Sequence, residues 1–320
     1  MKSLLKLLML LSLLWLPAQA DAQPYPSKII RLVVPFPPGG AGDMHARLVA
    51  QHLPALLGQT VIVENRAGAS GNIGADYVAK AAPDGYTLLF ATTNLVLNQA
   101  LGQKLPFNVT TDFAPITMTL TAQNLLTIRR GLPFSDVKGL IAHAKANPGK
   151  LTYGSSGVGT PWLSMEMLKS MAGVDILHVP YKGGGPAIAD VLGGQIDMYA
   201  TNVSALDSYH RSGQVHGIAV TSKKRATSLP DVPTMEEAGV PGYELETWFG
   251  FLAPAATPKE IVDKVNAAFV RVVTLPDVQK SMTDLGLTPV TMTPAEFGVR
   301  IQNDIRKFGE IAKNASAKPE

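Results

Sequence analysis

Cysteine is absent from the 320-residue sequence, which excludes a disulfide scaffold and a lipid-modified cysteine. A strong charge of either sign is absent too, because removing Lys2 and Lys6 from the count leaves 26 basic against 25 acidic residues. No basic stripe stands out, so the sequence predicts no nucleic-acid partner. Hydrophobic residues make up 46% and charged residues 17%, which is typical of a globular chain long enough for two domains.

Long hydrophobic runs are missing after the N-terminal segment. Residues 1–20 combine a short basic start, an apolar stretch too short to span a bilayer and a small-residue cleavage site at residues 18–20. That order predicts a cleaved signal peptide. No later stretch approaches the roughly 20 apolar residues of a membrane span. We therefore expect an exported, periplasmic protein whose mature chain does not cross a membrane.

The residue sets of catalysis and metal binding are missing as well. The six histidines show no metal-ligand spacing, and no paired acids, Cys–His pair or Ser-His-Asp set stands out. The sequence therefore predicts no metal, no cofactor and no catalytic residue. An exported serine hydrolase that uses Ser155 or Ser156 stays open as an alternative.

Strand-like and helix-like segments alternate along the chain. The segments "IIRLVVPF", "TVIVEN" and "YTLLFAT" have the composition of strands. Helical apolar spacing over residues 43–58 is carried by Met44, Leu48, Val49, Leu53 and Leu56. Pro54 is expected to kink or interrupt the last turn of this helix. The same alternation follows in the second half and predicts an α/β fold with parallel strands, organised as two similar lobes to which the C-terminal helices add on the first.

A Pro/Gly loop, "PFPPGGAGD", joins the first strand to the first helix. Gly39, Gly40 and Gly42 allow backbone N–H groups to approach an anion closely at a helix start, while Asp43 is expected to cap the helix. An ordinary strand-to-helix turn is the alternative. A dinucleotide site is disfavoured, because His45 occupies the position where close helix–strand packing requires Gly or Ala.

A second loop, "YGSSGVGTPW", has the same design. It offers free amides and hydroxyl groups before Pro161 opens a helix. It is not a nucleophile elbow around Ser156, because Val158 stands where that motif requires glycine. A third glycine loop follows Lys182 and again precedes a helix. Two matching loops, one in each predicted lobe, favour a shared anion site.

Four aromatic residues lie beside these loops or in the segment "ETWFG", namely Phe36, Trp162, Trp248 and Phe249. Each could line an apolar pocket that has a few polar anchors, although a single aromatic side chain more often packs in a core. We expect the pocket position for Phe36 and Trp248.

Several longer segments, in the same order along the chain, together resemble a known family. The segments "PFPPGGAGD", "HVPYKGGGPAIADVLGGQID", "AVTSKKRATSLPDVPTMEEAG" and "WFGFLAPAATP" resemble the Bug-type extracytoplasmic solute receptors, the substrate-binding proteins of tripartite tricarboxylate transporters. The resemblance runs over essentially the whole mature chain. It implies a two-lobed type II periplasmic binding protein fold with a hinge and an interlobe cleft. It also implies a small organic carboxylate (di-, tri- or aromatic) as ligand, held by uncharged amides, hydroxyls and waters, and the membrane subunits of a transporter as partners.

The resemblance also implies particular ligand-binding positions. On the first loop these are Phe36, Gly39, Gly40, Ala41 and Asp43. On the second loop they are Ser155, Ser156, Gly157 and Thr160. Further cleft positions are Thr92, Asn94 and Asn202. We expect lobe 1 to comprise residues 25–125 and 246–320 and lobe 2 residues 126–245, with the second crossing between 218 and 250, in a monomer.

Two departures from the family pattern bear on ligand choice. Relatives often carry His where Trp162 stands, and an Asp-Asn pair where this chain has Thr201 and Asn202. Both changes favour a more apolar pocket, suited to an aromatic or longer dicarboxylate. A ligand-sensing partner of a membrane signalling kinase would have the same fold and stays open as a further alternative.

Overall fold

The computed structural model of the chain describes residues 24–39, 41–155 and 159–314. The predicted signal peptide lies outside these ranges, as do Gly40, Ser156 and Gly157. Ten strands are present in the described part: β1 (Ile30–Val34), β2 (Val61–Asn65), β3 (Thr87–Thr92), β4 (Phe113–Arg129), β5 (Thr152–Ser155), β6 (Leu177–Pro180), β7 (Met198–Asn202), β8 (Val215–Val220), β9 (Glu246–Pro254) and β10 (Leu287–Pro289).

The helices of the described residues lie between successive strands, and the last one follows β10. They are α1 (Ala41–Leu57), α2 (Asn72–Ala79), α3 (Thr93–Ala100), α4 (Val137–Ala146), α5 (Thr160–Ala172), α6 (Gly184–Leu192), α7 (Val203–Arg211), α8 (Lys259–Val273), α9 (Pro276–Asp284) and α10 (Pro294–Asn314). A single 3₁₀ turn, Ala69–Gly71, precedes α2.

The strands pair in the order β2-β1-β3-β9-β4-β7-β5-β6, with β8 and β10 also paired to β4. Within this order β1 pairs in parallel with β2 and β3, and β5 pairs in parallel with β6 and β7. The predicted parallel strands are therefore present as two separate groups. The first group holds β1, β2 and β3, with β9 paired to β3, and the second group holds β5, β6 and β7. Antiparallel pairing of β4 and β9 joins them.

Strand β4 belongs to both groups. Its residues 113–123 pair with β9 and β10, whereas its residues 124–129 pair with β7 and β8. At the change-over, Thr221 donates its N–H to the carbonyl of Asn124 at 2.9 Å and accepts one from the N–H of Leu245 at 2.8 Å. Three stretches of chain thus lie side by side where the two groups meet. The expected lobe boundaries at 125/126 and 245/246 stay predictions.

Helix α1 packs on the first group of strands through a face that agrees only in part with the predicted one. Ala46, Val49 and Leu53 are buried, whereas Met44 and Leu56 are 45% and 42% exposed. Val49 and Leu53 of the predicted apolar stripe therefore lie on the packing face, whereas Met44 and Leu56 lie off it. The helix also continues through Pro54 to Leu57 without interruption and ends before Gly58, whose φ of 73° suits a glycine.

Candidate functional site

The first and second loops open into one cleft of about 510 Å³. From the first group of strands the cleft is lined by Phe36, Pro37, Pro38, Gly42, Asp43, Thr92, Asn94, Thr247 and Phe249. From the second group it is lined by Gly159, Thr160, Pro161, Thr201 and Asn202. Because carboxyl ends of parallel strands meet at one edge of a sheet, both groups direct their loops toward the same space.

Four helices begin at this cleft, two from each group of strands. Helices α1 and α3 begin beside Gly42 and Thr92, and helices α5 and α7 begin at Thr160 and directly after Asn202. Helix starts have unpaired N–H groups and a partial positive charge, so an anion is favoured there. Sequence reasoning identified the starts of α1 and α5 but not the helices α3 and α7.

The amides at these helix starts differ in how far the chain itself satisfies them. Thr92 accepts a hydrogen bond from the N–H of Asn94 at 3.3 Å and so caps α3. The residue preceding α5 is Gly159, and the side chain of Asn202 makes no capping hydrogen bond to α7 within the described residues. Of these three helix starts, those of α5 and α7 therefore have no amide engaged by a side-chain cap, and that of α3 has one.

Asp43 holds the first loop in place. Its Oδ2 accepts hydrogen bonds from the N–H of Gly39 at 2.9 Å and from Nε of Arg47 at 2.9 Å, and its Oδ1 accepts one from Asn65 at 2.8 Å. Burial opposes ionisation, but the hydrogen bonds from Arg47, Asn65 and Gly39 outweigh it and lower the pKa of Asp43 to about 2. Asp43 lies in the first turn of α1, and by accepting from Gly39, four residues earlier, its carboxylate ties the loop back onto the helix.

The apolar wall of the cleft comes from aromatic and proline side chains. Phe36 and Phe249 line it together with Pro37, Pro38 and Pro161. Successive side chains of a strand point to opposite faces, so Thr247 and Phe249 face the cleft and Trp248 does not. Trp248 is fully buried and its indole N–H donates to Asp304 of α10 at 2.8 Å. The structure therefore places Trp248 in the core, in contrast to the expected pocket position.

Comparison with known proteins agrees with this architecture. The sequence profile described as "Tripartite tricarboxylate transporter family receptor" (TctC) matches residues 45–316. The chain belongs to this family. Its family and its structural neighbours are solute-binding receptors, not enzymes. The two-lobed α/β fold predicted for it is the fold of these neighbours.

Two curated relatives cover most of the receptor. A UPF0065 protein from the tcbD-tcbE intergenic region of Pseudomonas sp. strain P51 is 40% identical over 289 residues, which is 90% of this chain and 86% of the relative. Protein BugT of Bordetella pertussis strain Tohama I is 35% identical over 304 residues, 94% of this chain and 93% of the relative. The predicted Bug-type resemblance is thereby confirmed.

Two solved structures were determined with a bound ligand. R. palustris Rpa4515 with adipate is 36% identical, has a TM-score of 0.75 and is matched over 91% of this chain and 98% of that one. MatC from Rhodopseudomonas palustris with bound malate is 31% identical, has a TM-score of 0.72 and is matched over 90% and 100% of the two chains. In this receptor, none of the helices among the described residues is long and apolar enough to cross a membrane.

The two groups of strands, each with its helices, form two halves of the receptor that are in contact inside the cleft. Thr160 Oγ1 at the start of α5 and Thr247 Oγ1 in β9 are 2.8 Å apart, within hydrogen-bonding distance. Nearby, a Cβ built on Gly159 would lie 4.0 Å from Oδ1 of Asn94. Side chains from both groups of strands therefore meet where a ligand would sit.

Beneath the second loop, Ser155 lies close to a histidine. Ser155 Oγ is 2.7 Å from His178 Nε2, a distance that would suit a nucleophile and its base. Ser155 is completely buried, however, and the receptor family is not one of enzymes. Burial lowers the pKa of His178, against a raising effect of Glu166 and with a smaller lowering effect of Lys169. We interpret the contact as one that fixes the end of β5.

A buried ionic group supports the same strand end. Glu166 accepts hydrogen bonds from the hydroxyl of Tyr153 at 2.6 Å and from the ammonium group of Lys169 at 2.7 Å. Glu166 and Lys169 are only 1% and 7% exposed. The ring of Tyr153 in turn packs on His178 with a centroid separation of 4.9 Å. These contacts hold β5 against α5 and so fix the position of the strand that ends at Ser155.

The structure brings together about half of the predicted ligand-binding residues. Those that line the cleft are Phe36, Asp43, Thr92, Asn94, Thr160 and Asn202. Gly39, which is exposed and has a φ of 89°, and the fully buried Ser155 are not among the residues that line the cleft, and Ala41 is the first residue of α1. Gly40, Ser156 and Gly157 lie outside the described residues. Contact with a ligand stays a prediction for all of them.

Two further expectations rested on departures from the family pattern. Trp162 is 1% exposed and packs in the core, so it does not supply the apolar wall. Thr201 does line the cleft. The third glycine loop leads into α6 at Gly184, and none of its residues is among those that line the cleft.

Sequence reasoning missed Thr247 as a cleft residue, considered Phe249 but expected Phe36 and Trp248 in the pocket, and noted Thr201 only as a departure from the family pattern. Thr201, Thr247 and Phe249 each lie on a strand, where the face that a side chain occupies depends on register. The period-2 alternation around Trp248 would have grouped Thr247 with Phe249, had the orientation of β9 been known.

Proposed function

We propose that this chain is a periplasmic receptor that captures a small organic carboxylate between two lobes and delivers it to the membrane subunits of a tripartite tricarboxylate-type transporter. The observation that carries the proposal is the convergence of four helix starts, from both groups of strands, on one cleft. Backbone amides at helix starts stabilise a carboxylate by charge-assisted hydrogen bonds. The adipate and malate bound to two similar receptors are carboxylates and support the assignment.

Capture proceeds by closure of residues 126–245 over residues 25–125 and 246–320. The crossing in β4 at Asn124, with Thr221 bonded to Asn124 and Leu245 bonded to Thr221, is a connection about which two bodies can rotate. A ligand that touches both loops binds only the closed arrangement fully, so it shifts the equilibrium toward closure. The transporter then binds the closed, ligand-bound form of the receptor.

Isothermal titration calorimetry of the purified mature protein tests the binding step. The panel holds mono-, di- and tricarboxylates, with aliphatic and aromatic bodies, and neutral sugars as the comparison group. At least one carboxylate should bind with saturable heat while the sugars do not. Binding of sugars with no binding of any carboxylate would rule the proposal out.

Delivery needs its own experiment. Detergent-solubilised membranes that contain the transporter subunits should be retained by the immobilised receptor more strongly in the presence of its ligand than without it. Retention of a membrane histidine kinase in place of the transporter would assign the receptor to signalling.

A further inference from the structure

The charges around the cleft limit the ligands that it can hold. Among the described lining residues, Asp43 is the ionisable one, and lysine, arginine and histidine are absent. The residues of the two loops outside the description, Gly40 and residues 156–158, have no ionisable side chain. The side chains at the cleft therefore offer no cation to a bound anion.

Asp43 and its partner add almost no net charge to the cleft. Its negative charge is already matched by the guanidinium of Arg47, with Nε at 2.9 Å from Oδ2. Arg47 also donates to Asn65 at 2.8 Å, and half of its side chain is exposed to solvent. The pair is close to neutral, so it neither attracts nor strongly repels a second carboxylate.

Peptide dipoles are thus the main source of positive potential. Each helix start is equivalent to roughly half a positive charge, so four of them supply at most about two. Only part of this is available, because Thr92 already caps α3. Helix starts can therefore balance one or two negative charges, and a third would remain uncompensated in a partly desolvated cleft.

The neutral side chains of the cleft set a second limit. Thr160 and Thr247 are bonded to each other, and Thr92 is bonded to an amide. Among the described residues, no hydrogen bond within the chain engages the side chains of Asn94, Thr201 and Asn202. Those three face a wall made by two phenylalanines and three prolines, which favours contact with a hydrocarbon body.

We infer that the ligand is a mono- or dicarboxylate with an apolar body, and that tricarboxylates bind poorly despite the name of the family. This inference rests on the proposed function. It deepens that function by assigning the selection to the number of negative charges, which the helix starts limit to two.

Two matched ligand pairs test the inference by calorimetry. Tricarballylate is glutarate with one added carboxylate, and benzene-1,3,5-tricarboxylate is isophthalate with one added carboxylate. In whichever scaffold binds, the dicarboxylate should bind about tenfold or more tightly than the tricarboxylate. Equal or tighter binding of the tricarboxylate would overturn the inference and leave the proposed function standing. Failure of every carboxylate in the wider panel would instead refute the proposed function and the inference with it.

A third pair tests the body of the ligand. Galactarate is adipate with four added hydroxyl groups and has the same length and charge. Adipate, or the panel's other apolar dicarboxylates, should bind about tenfold or more tightly than galactarate, because the wall offers no partners to most of the hydroxyls. Preference for galactarate would overturn the assignment of an apolar body.

A charge-gain variant tests the cause directly. Thr201→Lys adds a cation to the lining, and Gln51→Lys adds the same charge to the exposed surface of α1 as its control. Thr201→Lys should narrow the gap between glutarate and tricarballylate, or between the ring pair, by about tenfold, whereas Gln51→Lys leaves it unchanged. Circular dichroism establishes that both variants are folded. An unchanged gap in folded Thr201→Lys would contradict the charge argument.

Discussion

At the scale of single residues, Asp43 determines the shape of the first loop. It accepts three hydrogen bonds, of which the one from Gly39 holds the loop and those from Arg47 and Asn65 hold the carboxylate. Asp43 is 3% exposed, so these bonds are little screened by solvent. Its contribution to binding is therefore exerted through the loop that it fixes.

Asp43→Asn should lower both stability and affinity. A pKa of about 2, against an ordinary value of 3.8 for an aspartate, corresponds to about 2 kcal/mol of native-state stabilisation at pH 7. Urea unfolding should show a loss of this order. Asp263→Asn, which breaks a solvent-exposed pair with Lys259, is the control and should change the unfolding free energy by less than about 1 kcal/mol. Equal losses of unfolding free energy in the two variants would show that Asp43 contributes no more to stability than an exposed ion pair does.

His45 lies behind the cleft wall in an apolar environment. Its Nε2 is 2.9 Å from Thr119 Oγ1, and its ring lies about 6 Å from those of Phe90, Phe249 and Phe251. Burial lowers the pKa of His45 to about 3. The native protein therefore keeps His45 neutral at pH values where the unfolded chain, with a pKa of about 6.5, takes up a proton.

This difference makes stability depend on pH. The contribution of His45 is fully retained above about pH 6.5 and is lost progressively as the pH falls toward 3, at about 1.4 kcal/mol per pH unit. His45→Gln keeps a group that can bond to Thr119 but cannot titrate. Urea unfolding at pH 4, 5, 6 and 7 should give a shallower pH slope for the variant than for the wild type. Parallel curves would mean that His45 is accessible to protons in the folded protein.

At the scale of elements, helix α7 presents an N-terminus to the cleft without a side-chain cap, at Asn202. Helix α8 also begins without a side-chain cap, at Pro258. It follows Pro254, the end of β9 opposite to Thr247 and Phe249, which line the cleft, so the two helix starts form a pair that differs in location. A negative charge at either N-terminus interacts favourably with its helix.

Asn202→Asp should have opposite effects on stability and on binding. The new carboxylate stabilises α7 by about 0.3–1 kcal/mol but repels a carboxylate ligand in the cleft, so affinity should fall about tenfold or more. Pro258→Asp should give a comparable helix effect and leave affinity unchanged, since Pro258 is exposed and lies beyond the end of β9 that is opposite to the cleft. Thermal unfolding and calorimetry measure the two effects. Unchanged affinity in Asn202→Asp would remove α7 from the site.

The elements also show what the sequence could and could not predict. The strands and helices around both glycine loops were predictable, because turn residues mark where they begin and end. Strand β4 was not recognised, since Pro115 and several threonines interrupt its apolar pattern, and its pairing with two groups of strands depends on distant contacts. Met44, Leu56 and Trp248 were assigned to the wrong face because spacing gives a period but not an absolute orientation.

At the scale of the whole molecule, the contact between Thr160 and Thr247 joins the two halves inside the cleft. In this arrangement all four helix starts face the same space. A hydrogen bond that is made only when the halves approach contributes to ligand affinity through the closed state.

Thr160→Val and Thr247→Val each remove this bond while preserving side-chain shape. Each should weaken ligand binding by about three- to tenfold, and the double variant should be little weaker than either single one. Thr127→Val removes a bond to the carbonyl of Tyr199 within one half and is the control, which should lower stability but not affinity. Additive losses of affinity in the double variant would show that the two threonines act independently.

The central claim is that uncharged backbone amides at helix starts of both halves hold a carboxylate. A crystal structure of the receptor with the carboxylate selected by calorimetry tests it most directly. The account predicts carboxylate oxygens about 3 Å from backbone nitrogens at the start of α1 or α3 and, in the same ligand, at the start of α5 or α7. A ligand carboxylate paired instead with a lysine or arginine, or contacting only one half, would contradict it.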